Sequence, residues 1–445
     1  MNSPSNDSTQ NSHLKNTISL WQICVLLLTA STLNYMDRMA LNQSAADIQL
    51  QFGLNNTQYG LLEGVFSFAF ALGAFSFGWL VDRKGVYLTY PSVVLIWSLS
   101  GFLCGWAPSF TFLLLCRFSL GLFEAGNWPC GIVTTRKVFT PERRSLGNAF
   151  FQGGTALGAI ITPLVILYCL HWRDPHRFER ESLFRLLGSP IGGFMPAWSP
   201  AWPVPFQVIG LLGFAWVACW FLIVRKSQLE MPIANKVETA PEEVPWFREI
   251  FFQRRYWLLV LVIIAVNTTW HSFRAWLPLF LQKGHGYSRE FMNYFTSLYY
   301  ISAEIGSLSV GIVTLLLSRR GFAVHTSRML VFFGCALLAL LSVIAAFLPT
   351  GNLLLAVLLL IGFASLGLFP TYFSLSQEVS SRHQGKVTGS LGTINALFLA
   401  GLYPLQGWVV DWTRDYSQAL IFAGIPPILA WCAVLGLWNS GTNKN

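Results

Sequence analysis

Stretches of about twenty predominantly apolar residues follow one another along this chain, and that recurrence restricts its fold more than any other feature. A hydrocarbon core about 30 Å thick is crossed by about twenty helical residues. Windows of that kind fall near 19–42, 57–81, 87–106, 110–134, 145–170, 205–224, 256–281, 290–317, 328–348, 352–376, 386–410 and 417–438. Inside lipid every backbone N–H and C=O must find its partner within the protein, so segments of this length read as helices. Hydrophobic residues make up 53% of the chain and charged ones 11%, which excludes a water-soluble globular fold. The expected class is an all-α integral membrane protein with twelve transmembrane helices.

Two windows contain charges that a lipid-facing helix does not tolerate, Asp37 and Arg38 in the first and Arg117 and Glu124 in the fourth. Each such charge costs about 2.5–3.5 kcal/mol on insertion scales and is retained where it faces a protein interior or a water-filled cavity. Arg117 and Glu124 lie close to two helical turns apart, on one face with Gly121 between them. That spacing makes Glu124 the expected partner of Arg117, with Asp37 serving Arg38 or Arg117 across a helix interface. A polar cavity between helices is implied. The seventh window holds Arg274, either a second cavity contact or a side chain snorkelling toward Lys283. Glu63 and Glu304, in the second and eighth windows, are open between a cavity position and a hydrated interface.

The first seventeen residues are polar, without the basic start and short apolar run of a cleaved signal peptide, and read as a disordered tail. All eight cysteines fall in the apolar windows with no Cys-x-x-Cys pair, so they read as small buried residues without redox or metal duty. The net charge of +9 does not point to nucleic acid, because Lys and Arg gather in alternate connections, near 83–84, 136–144, 225–255 and 319–328. The positive-inside rule then places both termini in the cytoplasm.

The charged segment 225–255 divides the windows six and six. The halves echo each other: Ser119-Leu-Gly-Leu-Phe123 recurs as Ser365-Leu-Gly-Leu-Phe369, and Ser145-Leu-Gly147 as Ser390-Leu-Gly392 at nearly the same distance downstream. Leu80-Val-Asp-Arg-Lys-Gly85 corresponds to Leu316-Leu-Ser-Arg-Arg-Gly321, without the aspartate. Two matches in register favour duplication, and parallel halves of this kind place a substrate site between them near the midplane. The expected organisation is a cytoplasmic tail at 1–17, a six-helix bundle at 18–224 with a long outer loop at 171–204, a cytoplasmic linker at 225–255, a second six-helix bundle at 256–438 and a tail at 439–445.

Gly78-Trp-Leu-Val-Asp82-Arg83-Lys84-Gly85 resembles the loop between the second and third helices of the major facilitator superfamily, which clamps the two halves in one state and releases them in the other. Arg117-Phe-Ser-Leu-Gly121-Leu-Phe-Glu124-Ala-Gly-Asn-Trp-Pro129, together with Asn34-Tyr35-Met-Asp37-Arg38, is similar to signatures of that superfamily's anion:cation symporter branch, which includes bacterial hexuronate and other sugar-acid carriers. The resemblance covers roughly residues 18–438. It departs in the degenerate second loop, in Val86 and Tyr87 where further basic residues are usual, and in the long 171–204 loop. It implies two pseudo-symmetric six-helix bundles, proton coupling through Asp37 and Glu124, and substrate-carboxylate binding by Arg38 and Arg117.

An arginine's planar fork meets a carboxylate in two hydrogen bonds, so freeing it by protonating a neighbouring acid links proton and anion binding. Arg274, Tyr35 and Asn395 are further candidate contacts, and Trp128, Gln152, Trp276 and Tyr300 could offer faces and donors to a polyhydroxylated ligand. Prolines 129, 163, 278, 370 and 404 interrupt helices and free carbonyls for the cavity. The resulting expectation is a proton-coupled symporter of an organic anion, a hexuronate such as glucuronate or galacturonate. Galactonate, glucarate or an aromatic acid is the alternative substrate, and sodium the alternative coupling ion. It works as a monomer in the inner cell membrane, without cofactor or metal. No His-Glu-x-x-His, Gly-x-Ser-x-Gly or phosphate-binding Gly-x-x-x-x-Gly-Lys-Ser/Thr sequence occurs, which argues against a membrane enzyme and against ATP-driven transport. A sensor that no longer transports would not need its coupling acids.

Overall fold

The structure, a computed structural model, describes residues 6–139, 144–171, 201–229, 246–380 and 384–438. Among these residues twelve membrane-length helices are present. In the first half they are α1 (Asn6–Gln43), α2 (Asn56–Lys84), α3 (Val86–Cys104), α4 (Phe110–Glu124, resuming as Asn127–Val138), α5 (Arg144–His171) and α6 (Pro203–Ile223). In the second they are α7 (Arg254–Gly284), α8 (Arg289–Arg319), α9 (Val324–Ala345), α10 (Asn352–Ser376), α11 (Gln384–Thr413) and α12 (Ser417–Leu437). Ten satisfy a simple test of length and hydropathy; the other two are α1 and the broken α4, each of which carries two charged residues in its apolar stretch.

Local sequence accounts for several ends. Asn55 caps α2 reciprocally with Gln58, and Ser109 and Ser288 accept from the N–H of the third residue of α4 and α8. Two helices are interrupted at matching places: α4 at Ala125–Gly126, with Pro129 just beyond, and α10 at Leu368, with Pro370 in the first turn of its continuation Phe369–Ser376. The sequence Gly78–Lys84, expected as a loop, forms the last turns of α2; only Gly85 leaves the helix, at φ 77°. Its counterpart Gly321 has φ 93°, so both copies end in a left-handed glycine.

α1 begins at Asn6, which corrects the disordered tail over residues 6–17. Once a long apolar segment has nucleated a helix, extending it outward adds one hydrogen bond per residue fixed, and polarity alone does not stop it. Residues 172–200, most of the expected long outer loop, and 230–245, part of the expected linker, lie outside the described residues.

The halves repeat their packing. α2 lies on α4 as α8 lies on α10, α3 on α6 as α9 on α12, and α1 on α5 as α7 on α11. Between the halves, α2 packs along α11 and α5 along α8. The first seam is tight because it is lined with glycine: a Cβ at Gly60 would lie 2.3 Å from the Tyr403 carbonyl oxygen, and one at Gly407 would lie 2.2 Å from that of Asn56. Large apolar side chains such as Trp79, Leu222 and Leu308 stay exposed on the outer surface, where the solvent is lipid.

Candidate functional site

Six ionisable side chains of α1, α2, α4 and α7 form the buried polar centre, and their pairing differs from the one spacing suggests. Glu124 bonds Arg38 on α1, not Arg117: Arg38 Nε and an Nη donate to one Glu124 carboxylate oxygen at 3.3 and 3.0 Å. Arg117 instead donates to Glu63 of α2 at 3.3 Å. The other Glu63 oxygen accepts from Arg274 of α7 at 2.7 Å, so one carboxylate bridges arginines from the two halves. Side chains on a common face of a straight helix both project outward, and here each meets a neighbouring helix before it meets the other.

Glu63 is fully buried and well supported. Asn42 donates to it at 3.2 Å and to Tyr59 at 2.9 Å, and Tyr59 donates to the Ala275 carbonyl across the seam at 3.0 Å. Arg274 also donates to Asn42 at 3.0 Å, to the Tyr403 hydroxyl at 2.7 Å and to His271 Nδ1 at 3.3 Å. It is 1% exposed, which settles its position in favour of the interior over a snorkelling one. The Tyr403 hydroxyl accepts from Arg274 and lies 3.0 Å from His271 Nδ1. As an acceptor of these donors Nδ1 carries no proton, which leaves Nε2 as the ring's donor.

Phe66 separates two of the cations. The Arg117 guanidinium sits 4.4 Å from its ring centroid and Arg38 5.0 Å from it, with Arg38 also 5.0 Å from Phe70. Asn34 donates to the Glu124 carbonyl where α4 breaks, at 3.3 Å, which fixes that acid against α1. Asp37 differs from the other two acids. It is 1% exposed, and neither of its oxygens has a hydrogen-bond partner among the described residues. It is lodged against α3 at Gly101, where an added Cβ would come within 2.5 Å of Asp37 Oδ1.

A cavity of about 400 Å³ lies beside this centre, between the halves. Tyr35 and Arg38 of α1, Trp128 of α4, and Gln152, Thr155 and Ala159 of α5 line one wall. The other wall comes from Asn267, Trp270 and His271 of α7, Tyr300, Glu304 and Ser307 of α8, and Phe369 and Phe373 of α10. Helical spacing puts each trio on one face. Of the candidates, Arg38, Tyr35, Trp128, Gln152 and Tyr300 therefore meet in one chamber, while Arg117, Arg274 and Glu124 stand behind it. Asn395 is 9% exposed and Trp276 fully buried, and neither lines the chamber; Trp276 donates to Gln406 at 3.0 Å.

Away from the chamber the seam is closed by polar contacts at one end. The Asp411 carboxylate of α11 accepts from the backbone N–H groups of Asn56 and Thr57 at 2.9 and 2.8 Å, capping α2 across the seam. Lys283 donates to Gln49 at 2.7 Å, and Arg289 pairs with Asp47. At the opposite end of α2, Gly78 is half-buried, Asp82 and Arg83 are exposed, and Arg83 lies 4.4 Å over Trp79.

The family model described as Major Facilitator Superfamily matches residues 27–175 and 181–404. The chain belongs to the major facilitator superfamily. It is accordingly a multi-pass membrane transporter and not an enzyme. Among relatives, the Probable L-galactonate transporter of Escherichia coli (strain K12) is 26% identical over 419 residues, covering 90% of this chain and 85% of the relative. The Hexuronate transporter of Bacillus subtilis (strain 168) is 27% identical over 428 residues, 93% of each chain. The fold is shared with a bacterial homolog of the human lysosomal transporter Spinster in an inward-facing, unoccupied conformation, at a TM-score of 0.75 and 19% identity, over 93% of this chain and 95% of that one.

The two-half architecture of a facilitator explains why sequence reasoning left Glu63 open between a cavity and an interface and did not single out Asn42, Tyr59, Tyr403 and His271 for the site. Each has a partner on another helix, and Glu63, Asn42 and Tyr59 each have one in the other half. Charge arithmetic was the available signal: once Arg38 takes Glu124, two intramembrane arginines need another acid, and Glu63 is the nearest in kind.

Proposed function

We propose that this facilitator is a proton-coupled symporter of a monocarboxylated sugar acid, a hexuronate such as glucuronate or galacturonate or a close aldonate, working by alternating access in the inner cell membrane. The observation that carries the reading is the Arg38–Glu124 pair at the chamber wall. Arg38 is the cation that reaches the chamber, and its fork is held by an acid that is itself buried. A substrate carboxylate can take the place of Glu124 on that fork only when Glu124 gives up its charge.

Electroneutrality supplies the coupling. The buried centre holds Arg38, Arg117 and Arg274 against Asp37, Glu63 and Glu124, a balanced set, with Glu304 additionally in the chamber wall. An added anion leaves uncompensated charge in a low-dielectric interior, where one charge is worth several kcal/mol. A proton on Glu124 or Asp37 restores the balance. Asp37, whose oxygens receive no hydrogen bond among the described residues, is the less well held of these two acids and a natural site for that proton. Proton and anion thus favour each other's binding by the same free energy, which is the linkage a symporter needs.

Relatives named for galactonate and hexuronate transport support the substrate class. The test is uptake of radiolabelled glucuronate and galactonate into proteoliposomes of purified protein, with an inward proton gradient, with a sodium gradient and with neither. Accumulation that requires the proton gradient and collapses with a protonophore supports the reading. Sodium-driven accumulation, or none with any sugar acid, overturns it.

A further inference from the structure

Glu304 is unaccounted for by that mechanism. It projects from α8 into the chamber on the wall opposite Arg38, one turn from Tyr300 and Ser307 on the same helix face. Among the described residues it forms no ion pair and no hydrogen bond, whereas each intramembrane acid of the coupling centre except Asp37 is held by an arginine. It is also the one carboxylate among the residues that line the chamber. The chamber therefore has two chemically different walls: a guanidinium on α1 and a carboxylate on α8, with aromatic faces from Trp128, Trp270 and Tyr300 around them.

We propose that Glu304 determines substrate choice, accepting hydrogen bonds from the hydroxyl groups of a monocarboxylated sugar acid and rejecting sugar acids with a carboxylate at both ends. This deepens the proposed sugar-acid reading and rests on it. A ligand whose carboxylate meets Arg38 presents its other end toward α8. A vicinal diol there gives two O–H donors to a group that, when ionised, only accepts. A second carboxylate offers acceptors to an acceptor and like charge to like charge, and the low-dielectric walls strengthen that repulsion. Tightening contacts to the monoacid would not by itself discriminate between two molecules that share one end; a repulsive element at the other end does. The aromatic walls suit the apolar faces of a sugar and make no distinction between the two acids.

Two substitutions separate the roles. Glu304→Gln keeps hydrogen-bonding capacity and removes the repulsion, whereas Glu304→Ala removes both. Binding is read in detergent at fixed pH by quenching of tryptophan fluorescence, Trp128 and Trp270 being chamber residues. The probes are glucuronate and galactonate as monoacids and glucarate and galactarate as diacids. The wild-type protein is expected to prefer the monoacids at least tenfold. Glu304→Gln should reduce that preference to less than threefold by admitting the diacids, and Glu304→Ala should in addition weaken the monoacids about tenfold. Equal binding of both classes by the wild type, or an unchanged preference in Glu304→Gln, overturns the assignment while leaving sugar-acid transport standing. Failure of the wild type to bind any of the four acids removes the substrate class, and this inference with it.

Discussion

Arg38 and Arg117 look interchangeable in the sequence but occupy different environments. Arg38 reaches the chamber and holds Glu124 through Nε and an Nη, whereas Arg117 is fully buried behind Phe66 and holds Glu63. A lysine in place of Arg38 supplies the charge without the fork. Arg38→Lys is expected to weaken sugar-acid binding tenfold or more, about 1.4 kcal/mol, measured by the concentration dependence of counterflow; unchanged affinity would remove Arg38 from the substrate contact. Glu124→Gln should abolish proton-driven accumulation while leaving exchange of labelled for unlabelled substrate at least partly intact. Joint loss of accumulation and exchange in a folded protein would contradict a role confined to coupling. Glu63 belongs to neither class of contact. Glu63→Gln leaves Arg117 and Arg274 sharing one neutral amide, and breaking a buried pair in this way costs about 3–5 kcal/mol. The expected result is a clearly lower thermal-unfolding midpoint in detergent than for Glu124→Gln, whose arginine partner is partly solvated at 14% side-chain exposure.

At the scale of elements, the seam between α2 and α11 is where sequence and structure agree for a reason that only packing reveals. Asn55 and Gln58 cap the start of α2 locally, and Asp411 caps the same end from the other half. An acid at a helix N-terminus gains both hydrogen bonds and a favourable dipole, so the contact holds this end of the two halves together. Under alternating access it must break in each cycle. Asp411→Asn, and more strongly Gly60→Leu, whose side chain would collide with the Tyr403 carbonyl, are expected to open this seam. Spin labels placed on α2 and α11 near Thr57 and Val410 should show a longer mean distance in either variant than in the parent. An unchanged distance distribution would mean that other contacts, such as Lys283–Gln49, hold the seam alone. The helix breaks at Ala125–Gly126 and Leu368 were foreshadowed by Pro129 and Pro370, each lacking the N–H that would pair a carbonyl of the preceding turn, whereas Pro163, Pro278 and Pro404, expected to interrupt their helices too, lie inside continuous ones. What the prolines did not foretell is that Asn34 would occupy the carbonyl of Glu124 at the first break.

For the whole molecule, the clustering of Lys and Arg in alternate connections predicts both termini on the cytoplasmic side, and reporter fusions at residue 1 and residue 445 should then both be active only as cytoplasmic reporters. A fusion active on the far side would reverse that orientation. The sequence by itself determined the number and approximate limits of the membrane helices, because a bilayer imposes one length and one hydrogen-bonding solution on every span. It also determined the duplication of the halves, carried by Gly121 and Gly367 and by Gly85 and Gly321, and the presence of a polar interior, because charges such as Asp37 and Arg117 are too costly in lipid. Tertiary structure alone decided which acid meets which base: Glu124 with Arg38, Glu63 with both Arg117 and Arg274, and Asp37 with none. It also decided that Arg38 and Glu304 face a common chamber while Asn395 does not line it. Helical periodicity fixes the face from which a side chain leaves its own helix, but an ion pair depends on distance and orientation between helices. Those are set by packing contacts such as Gly60 against Tyr403 and Gly101 against Asp37, which join segments far apart in the chain.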